Sequence, residues 1–314
     1  MKIDLLTKKF KTKSKLFHFF FPYTSEKLLG PDTAKYLDIL YFNLFKKLDI
    51  QFLIECGAYE ASASIEAIKR GCGALAIEAN PNTFEKITPK TSGKLTSINI
   101  GLNDKKEYIN FYFPKENDTE ISSTFQKKEE IEYNTVKVLT QPLDTVVKDF
   151  DLISNPFVLW IDVEGFQKQV LFGAKNILSN KNCKFIKIEV EEVEKFKGQL
   201  FLKEEIEDFL YNYNFIPVFR DFEYDYQFNV LFIKKEYYSE VSNQIELTIN
   251  ESVANSINLY KILHLISDKK NFISEMKKLT ISLFGKKFGN YLATLLGSKS
   301  SAAFLKRDQK NLKN

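Results

Sequence analysis

Apolar runs of five to eight residues alternate with longer stretches whose apolar positions recur at helical spacing. Residues 33–48 carry apolar side chains on one helical face and predict a helix packed on a sheet. Buried strands are expected at Phe52–Cys56, Ala74–Glu78, Leu95–Ile100, Phe157–Val163 and Cys183–Val190. Between them, helical spacing covers Ser62–Arg70, Asn82–Ile87, Gln167–Leu178 and Lys203–Tyr213. Tyr108–Phe113 alternates strictly and reads as an added strand. Val136–Thr140 reads as another, followed by a short helix over Leu143–Lys148. Pro217–Phe222 and Phe228–Lys234 look like a closing antiparallel pair. Strands alternating with helices predict an α/β fold, with a mainly parallel sheet covered on both faces. Residues 114–134 are polar and predict a long loop of the kind that often serves as a binding lid. Beyond about residue 240 the strand signals stop, and helices are expected over 251–266 and 271–296.

Charge adds an uneven distribution to this picture. Residues 1–27 carry seven lysines against Asp4 and Glu26, net +5. Residues 261–314 carry twelve Lys/Arg against Asp268, Glu275 and Asp308, net +9. With +4 overall, residues 28–260 carry −10. An acidic body argues against nucleic acid as a partner. The basic termini suit either solvent or a peripheral contact with a membrane or a protein. The three cysteines form no CxxC pair, which fits a reducing, cytoplasmic setting. Leu16–Tyr23, LFHFFFPY, is short, broken by His18 and Pro22, and is not read as a signal peptide. The oligomeric state is not legible.

The chemistry concentrates first in Phe52–Pro81. A strand ending on Gly57, a helix, and a second strand ending on Glu78 make one βαβ unit. In such units the second acid holds ribose hydroxyls. The turn has one glycine where a dinucleotide site needs three, and no Walker-type loop is present, so no phosphate cradle is visible. A nucleoside without phosphates fits better, and S-adenosylmethionine is the common one. Glu55, Gly57 and Ala58 would face its amino-acid end, Glu78 its ribose, and Gly101 to Asn103 its adenine. The same spacing also occurs in α/β proteins that bind no cofactor.

Four segments resemble the FkbM-type methyltransferases. FLIECGAYEAS is similar to that family's DvGAnxG strand, and ALAIEANPNTFEKI to its aFEPnp segment. VKVLTQPLDTVV is similar to its v.v.tLD stretch, and LWIDVEGFQKQVLFGAKNIL to its lKiDvEGaE..vL.Ga..iL signature. The resemblance spans about residues 36–238. It implies a Rossmann-like seven-stranded, mainly parallel sheet with an antiparallel closing strand. Residues 1–35 would then be a basic, aromatic N-terminal segment and 239–314 a helical basic extension. It further implies S-adenosylmethionine as cofactor and methyl transfer to a hydroxyl of a sugar, glycan or polyketide-type acceptor. Three positions depart from the pattern: Glu55 replaces aspartate, Tyr59 asparagine and Ala61 glycine. Alanine is costly at Ala61 only if the backbone there has positive φ. A non-catalytic binding protein on a degenerate methyltransferase domain is the alternative reading.

Methylating a hydroxyl calls for proton removal. The only histidines, His18 and His264, lie outside the matched region. The base is then expected to be a carboxylate or a tyrosine, and the catalytic candidates are Asp162 first and Glu164 beside it, at the carboxyl end of the strand in IDVEG. One of the pair would orient a ligand and the other accept a proton, or the two would hold Mg²⁺. The structural alternative is that Asp162 fixes the turn and Glu164 caps the following helix. Glu189, Glu191, Glu192 and Glu194 form an acidic edge, suited to a metal or a substrate, or simply solvated. Ser122, Ser123 and Thr124 in the long loop are placed to reach a polar substrate. The aromatics of 222–228 either stack on a sugar ring or pack on the core.

Overall fold

The computed structural model describes residues 25–87, 93–114, 123, 126, 132–150, 153–199, 201–221, 226–249 and 251. The basic segment 1–24, Ser122, Thr124, most of the aromatic stretch 222–228, and the helices expected over 251–266 and 271–296 lie outside them, as do both histidines.

Seven strands form one sheet: β1 (Phe52–Cys56), β2 (Gly73–Glu78), β3 (Leu95–Asn99), β7 (Phe157–Ile161), β8 (Cys183–Glu191), β9 (Phe215–Arg220) and β10 (Gln227–Lys234). Their order is β3-β2-β1-β7-β8-β10-β9. Every pairing from β3 to β8 is parallel, and β10 runs antiparallel to both β8 and β9. This is the Rossmann-like α/β sheet the sequence predicts, with one reversed strand.

Both faces of the sheet are buried, which is why its strands read as continuous apolar runs. Ile54, Leu75, Leu159 and Ile188 join a core under α5 (Gln167–Phe172), α6 (Lys175–Ser179) and α7 (Lys203–Tyr211). Leu53, Val158 and Phe185, from neighbouring positions on the same strands, join a second core. There they meet α1 (Ser25–Lys47), α2 (Ser62–Lys69) and helical residues 238–249. Tyr41 of α1 anchors that face. Its ring packs edge-on against Trp160 and Phe185, and its hydroxyl donates to the Leu159 carbonyl at 3.0 Å. α1 begins at Ser25, earlier than residue 33. Among the described residues no helix is long and apolar enough to cross a membrane.

One expectation changes, and the added strands, whose partners the sequence left open, are placed. The added strands do not extend the main sheet. β4 (Gly101–Leu102), β5 (Glu107–Pro114) and β6 (Tyr133–Gln141) make a separate three-stranded sheet in the order β4-β6-β5. Several residues of β6 are exposed, as suits strands covered on one side only.

The single helix expected over Gln167–Leu178 is two short helices, α5 and α6. They break at Gly173, where a Cβ would lie 2.1 Å from the Asn103 carbonyl oxygen. Asp144 of the short helix α4 (Leu143–Val146) then caps α6, accepting from the amides of Asn176 and Ile177 at 2.9 and 3.0 Å. The glycine of VLFGA and the aspartate of the QPLD segment thus serve one packing contact. The remaining helix, α3 (Pro81–Ile87), follows β2.

Candidate active site

The chain leaves β1 toward β2 and β3 on one side and later returns to β7 on the other. The strand order therefore reverses between β1 and β7, and a crevice opens beyond their carboxyl ends. Gly57 directly follows β1 and Asp162 directly follows β7. The Asp162 amide donates to the Cys56 carbonyl at 2.9 Å, so the two ends are locked together. A Cβ on Gly57 would lie 1.7 Å from the Asp162 carbonyl oxygen, and φ there is +79°. Glycine is needed here because another strand occupies the space of a side chain.

The turn after β1 uses its own amides. Gly57 and Ala58 both donate to the Ile77 carbonyl at 3.0 Å, and Tyr59 donates to Glu78 Oε2 at 2.8 Å. These three amides are not spare for a phosphate. Tyr59 and Ala61 have φ of 47° and 58°, so the family's asparagine and glycine positions are left-handed here without those residues. The condition that makes alanine costly at Ala61 is met.

Glu55 is buried and holds the start of α2. Its Oε2 accepts from the Ser64 amide at 2.8 Å and its Oε1 from the Ala63 amide at 3.2 Å. Burial raises its carboxyl to about 7, outweighing those hydrogen bonds. Glu78 is also buried and raised by burial. Its two oxygens accept from Tyr59 and from Asn80, both at 2.8 Å. Gly101 opens β4 and Asn103 follows it. The Asn103 side chain is spent on the turn into β5, donating to Glu107 Oε1 and Thr140 Oγ1 and accepting from the Asp104 amide.

Across the crevice, Asp162, Glu164 and Glu189 each bring a carboxylate oxygen within 4.8 Å of the others. Asp162 and Glu164 are half-buried and Glu189 is buried. Burial raises the Asp162 carboxyl, with Lys187 opposing and Asp221 adding to the shift. Glu189 is pushed well above the usual range by burial, with Asp162 and Glu164 reinforcing it. Glu164 and Gly165 are both left-handed, at 46° and 88°, and Gly165 packs under the Phe196 ring. That sharp turn puts Glu164 beside Asp162 rather than along a continuing strand.

The acidic edge divides. Glu189 joins the cluster, and Glu191 beside it accepts from Gln199 Nε2 at 2.8 Å. Glu192 instead faces Lys203 and Arg220, and Glu194 accepts from the Gly198 amide. Of the loop candidates, Ser123 reaches the site region. It pairs with Tyr112, and its hydroxyl donates to the Glu164 carbonyl at 2.5 Å. Gln126 accepts from the Lys197 amide at 2.8 Å. Between β5 and β6, the described residues Ser123 and Gln126 thus touch the chain at Glu164 and at Lys197.

Sequence reasoning missed Asp221 and Lys187. Asp221 is fully buried at the end of β9 and accepts from Asn229, which only the β9–β10 pairing brings near. Lys187 lies over the Trp160 ring at 3.4 Å and pairs with Asp38 at 2.6 Å. A lysine inside an apolar strand was the available signal for it.

The profile of the methyltransferase FkbM domain matches residues 55–217, just over half of the chain. No curated protein matches it. Among solved structures, magnesium protoporphyrin IX methyltransferase from Synechocystis PCC 6803 with bound SAM is similar at 8% identity. That match covers 65% of this chain and 79% of that one, at a TM-score of 0.38. The ribosomal protein L11 methylase from Lactobacillus delbrueckii subsp. bulgaricus shows 10% identity, 61% and 76% coverage and a TM-score of 0.32. A SAM-dependent methyltransferase from Aquifex aeolicus shows 9% identity, 62% and 88% coverage and a TM-score of 0.33.

Proposed function

The chain belongs to the FkbM methyltransferase domain family, and on that premise we propose that it transfers the methyl group of S-adenosylmethionine to a hydroxyl oxygen of a sugar, glycan or related small molecule. The observation that carries the hydroxyl acceptor is the carboxylate cluster. Asp162 and Glu164, half-buried, and Glu189, buried, converge within 4.8 Å beyond the β1–β7 switch point. A sugar-type hydroxyl is a weak acid and needs somewhere for its proton to go. His18 and His264 lie outside the matched region, so carboxylates are the groups at hand.

The cofactor suits the residues present. The Glu78 oxygens accept from the Tyr59 and Asn80 amides, with the Ala79 amide also against the carboxyl, and the acceptor capacity left over fits ribose hydroxyls. With the amides of Gly57, Ala58 and Tyr59 already used, the turn favours a nucleoside without phosphates. The acidic surroundings favour one that carries positive charge. When bound, the sulfonium supplies an electrophilic methyl group. Gly57, Ala58 and Glu78 would hold the cofactor, with Gly101 and Asn103 on the adenine side. Glu55 acts behind them by fixing the start of α2. On the acceptor side, Asp162 and Glu164 position the hydroxyl and draw its proton toward the cluster. Burial of Asp162 strengthens it as a base.

Titration calorimetry with S-adenosylmethionine and S-adenosylhomocysteine tests the cofactor; absence of binding at millimolar ligand would sink this reading. Labelled methyl transfer to a fractionated cell-surface glycan extract, with the product identified by mass, tests the acceptor class. Asp162→Ala is expected to abolish turnover with the fold intact, and retained turnover would remove Asp162 from the mechanism. Cofactor binding without transfer across a broad glycan panel would favour a non-catalytic binding protein. The left-handed Tyr59 and Ala61 in the cofactor turn are the observation on that side.

A further inference from the structure

We propose that Asp162, Glu164 and Glu189 bind one divalent cation of the hard, oxygen-preferring class, Mg²⁺ or Mn²⁺, which takes the acceptor hydroxyl as a further ligand. This rests on the methyltransferase reading for its purpose but not for its chemistry. Two observations carry it. The first is geometric: three carboxylates, from the end of β7, the turn after it and β8, offer oxygens within 4.8 Å of one another. Side-chain adjustment by a few tenths of an ångström brings such a set onto one small ion, and carboxylate oxygen is the donor that Mg²⁺ and Mn²⁺ prefer.

The second observation is an unmet demand inside the cluster. Glu189 is 7% exposed; Gln227 bonds to its carboxyl, but its Oε2 has no hydrogen-bond partner among the described residues. The buried Gln167 donates its Nε2 to the Glu189 carbonyl, and its own Oε1 is likewise without a partner among the described residues. Buried acceptors without donors are costly, at roughly 1–3 kcal/mol each. An acceptor-only carboxylate is satisfied by a donor or by a cation.

The lysine that acts on Asp162 does not fill this role. The Lys187 ammonium sits 2.6 Å from Asp38 and 3.4 Å from the centre of the Trp160 ring. Lys195 bonds to Gln227 instead. Among the described residues, neither Asp162 nor Glu189 forms an ion pair. Asp162 and Glu164 remain half-buried, so ion and acceptor have a way in. A hydroxyl bound to such an ion ionises more readily and releases its proton to water. With the ion bound, Asp162 and Glu164 act on the hydroxyl through it, and the proton-accepting role assigned to them above passes to solvent water.

The test uses the full chain, stripped with EDTA and titrated with Mn²⁺. Loss of the free-ion signal is followed by electron paramagnetic resonance, with Mg²⁺ as competitor. Binding of one Mn²⁺ per chain, displaced by Mg²⁺, is expected. Glu189→Gln and Glu164→Gln should each weaken it on the order of tenfold or more. Their melting temperatures and S-adenosylhomocysteine binding should hold. The half-buried Glu164 serves as the second variant should the buried substitution disturb folding. No Mn²⁺ binding at millimolar ion, or unchanged binding in both variants, overturns the cation site. Because S-adenosylhomocysteine binding is measured on the same samples, failure of the cation site and failure of the cofactor reading are told apart.

Discussion

Gly57→Ala is expected to destabilise the domain far more than Gly71→Ala, although both glycines have φ near +80° to +90°. At Gly71, φ is +91° and no atom of the described residues lies within 4 Å of the point a methyl group would occupy, so only backbone strain is added, roughly 1–2 kcal/mol. At Gly57 the same strain applies, and the methyl would lie 1.7 Å from the Asp162 carbonyl oxygen. The ends of β1 and β7 must part by more than an ångström. That breaks the hydrogen bond from the Asp162 amide to the Cys56 carbonyl, worth about 0.5–1.5 kcal/mol. Overpacking adds about 1–3 kcal/mol. Together the Gly57 substitution should cost about 3–6 kcal/mol. Urea titrations of both variants measure the difference. Calorimetry on the same samples should show S-adenosylhomocysteine binding lost in Gly57→Ala and kept in Gly71→Ala. Equal losses of stability would refute the close approach of the two strand ends as the reason for Gly57.

Two further outcomes follow from individual carboxylates. Glu55 binds its proton more tightly folded, at about 7, than unfolded, near 4.5, so stability should fall as pH rises across that window. The loss is about 3 kcal/mol at 1.36 kcal/mol per unit. Urea titrations in EDTA at pH 5 and pH 8 check it; Glu55→Gln should flatten the dependence, and an unchanged slope in that variant would remove Glu55 as its source. Asp144→Ala should cost about 1–2 kcal/mol by uncapping α6, with S-adenosylhomocysteine binding intact. Thermal melts and calorimetry read both, and a loss of binding would move Asp144 from packing into the site.

Much of the architecture was legible because period and length carry it. Phe52–Cys56 is a strand at the predicted residues, and the closing antiparallel pair falls where alternation placed it. Helix boundaries drifted by a few residues, since fraying ends carry little pattern. The break at Gly173 escaped because its cause, the Asn103 carbonyl, lies far away in the chain. The separate sheet of β4, β5 and β6 escaped for a related reason. Alternation announces a strand but not its partner.

Sequence by itself determined the kind of fold and the rim on which chemistry would sit. Apolar periodicity and the turns after Gly57 and Asp162 are local properties, and parallel strands send their carboxyl ends to one side. Tertiary structure alone decided what the motif residues do. Glu55 is spent on the amides of α2, Asn103 on the turn into β5, and Asp144 on α6. Glu189, drawn from a run of four glutamates, joins Asp162 and Glu164 while Glu192 and Glu194 face elsewhere. The reason is physical: hydrogen-bond partners and electrostatic neighbours are set by distance in space, and register between strands far apart in the chain fixes those distances.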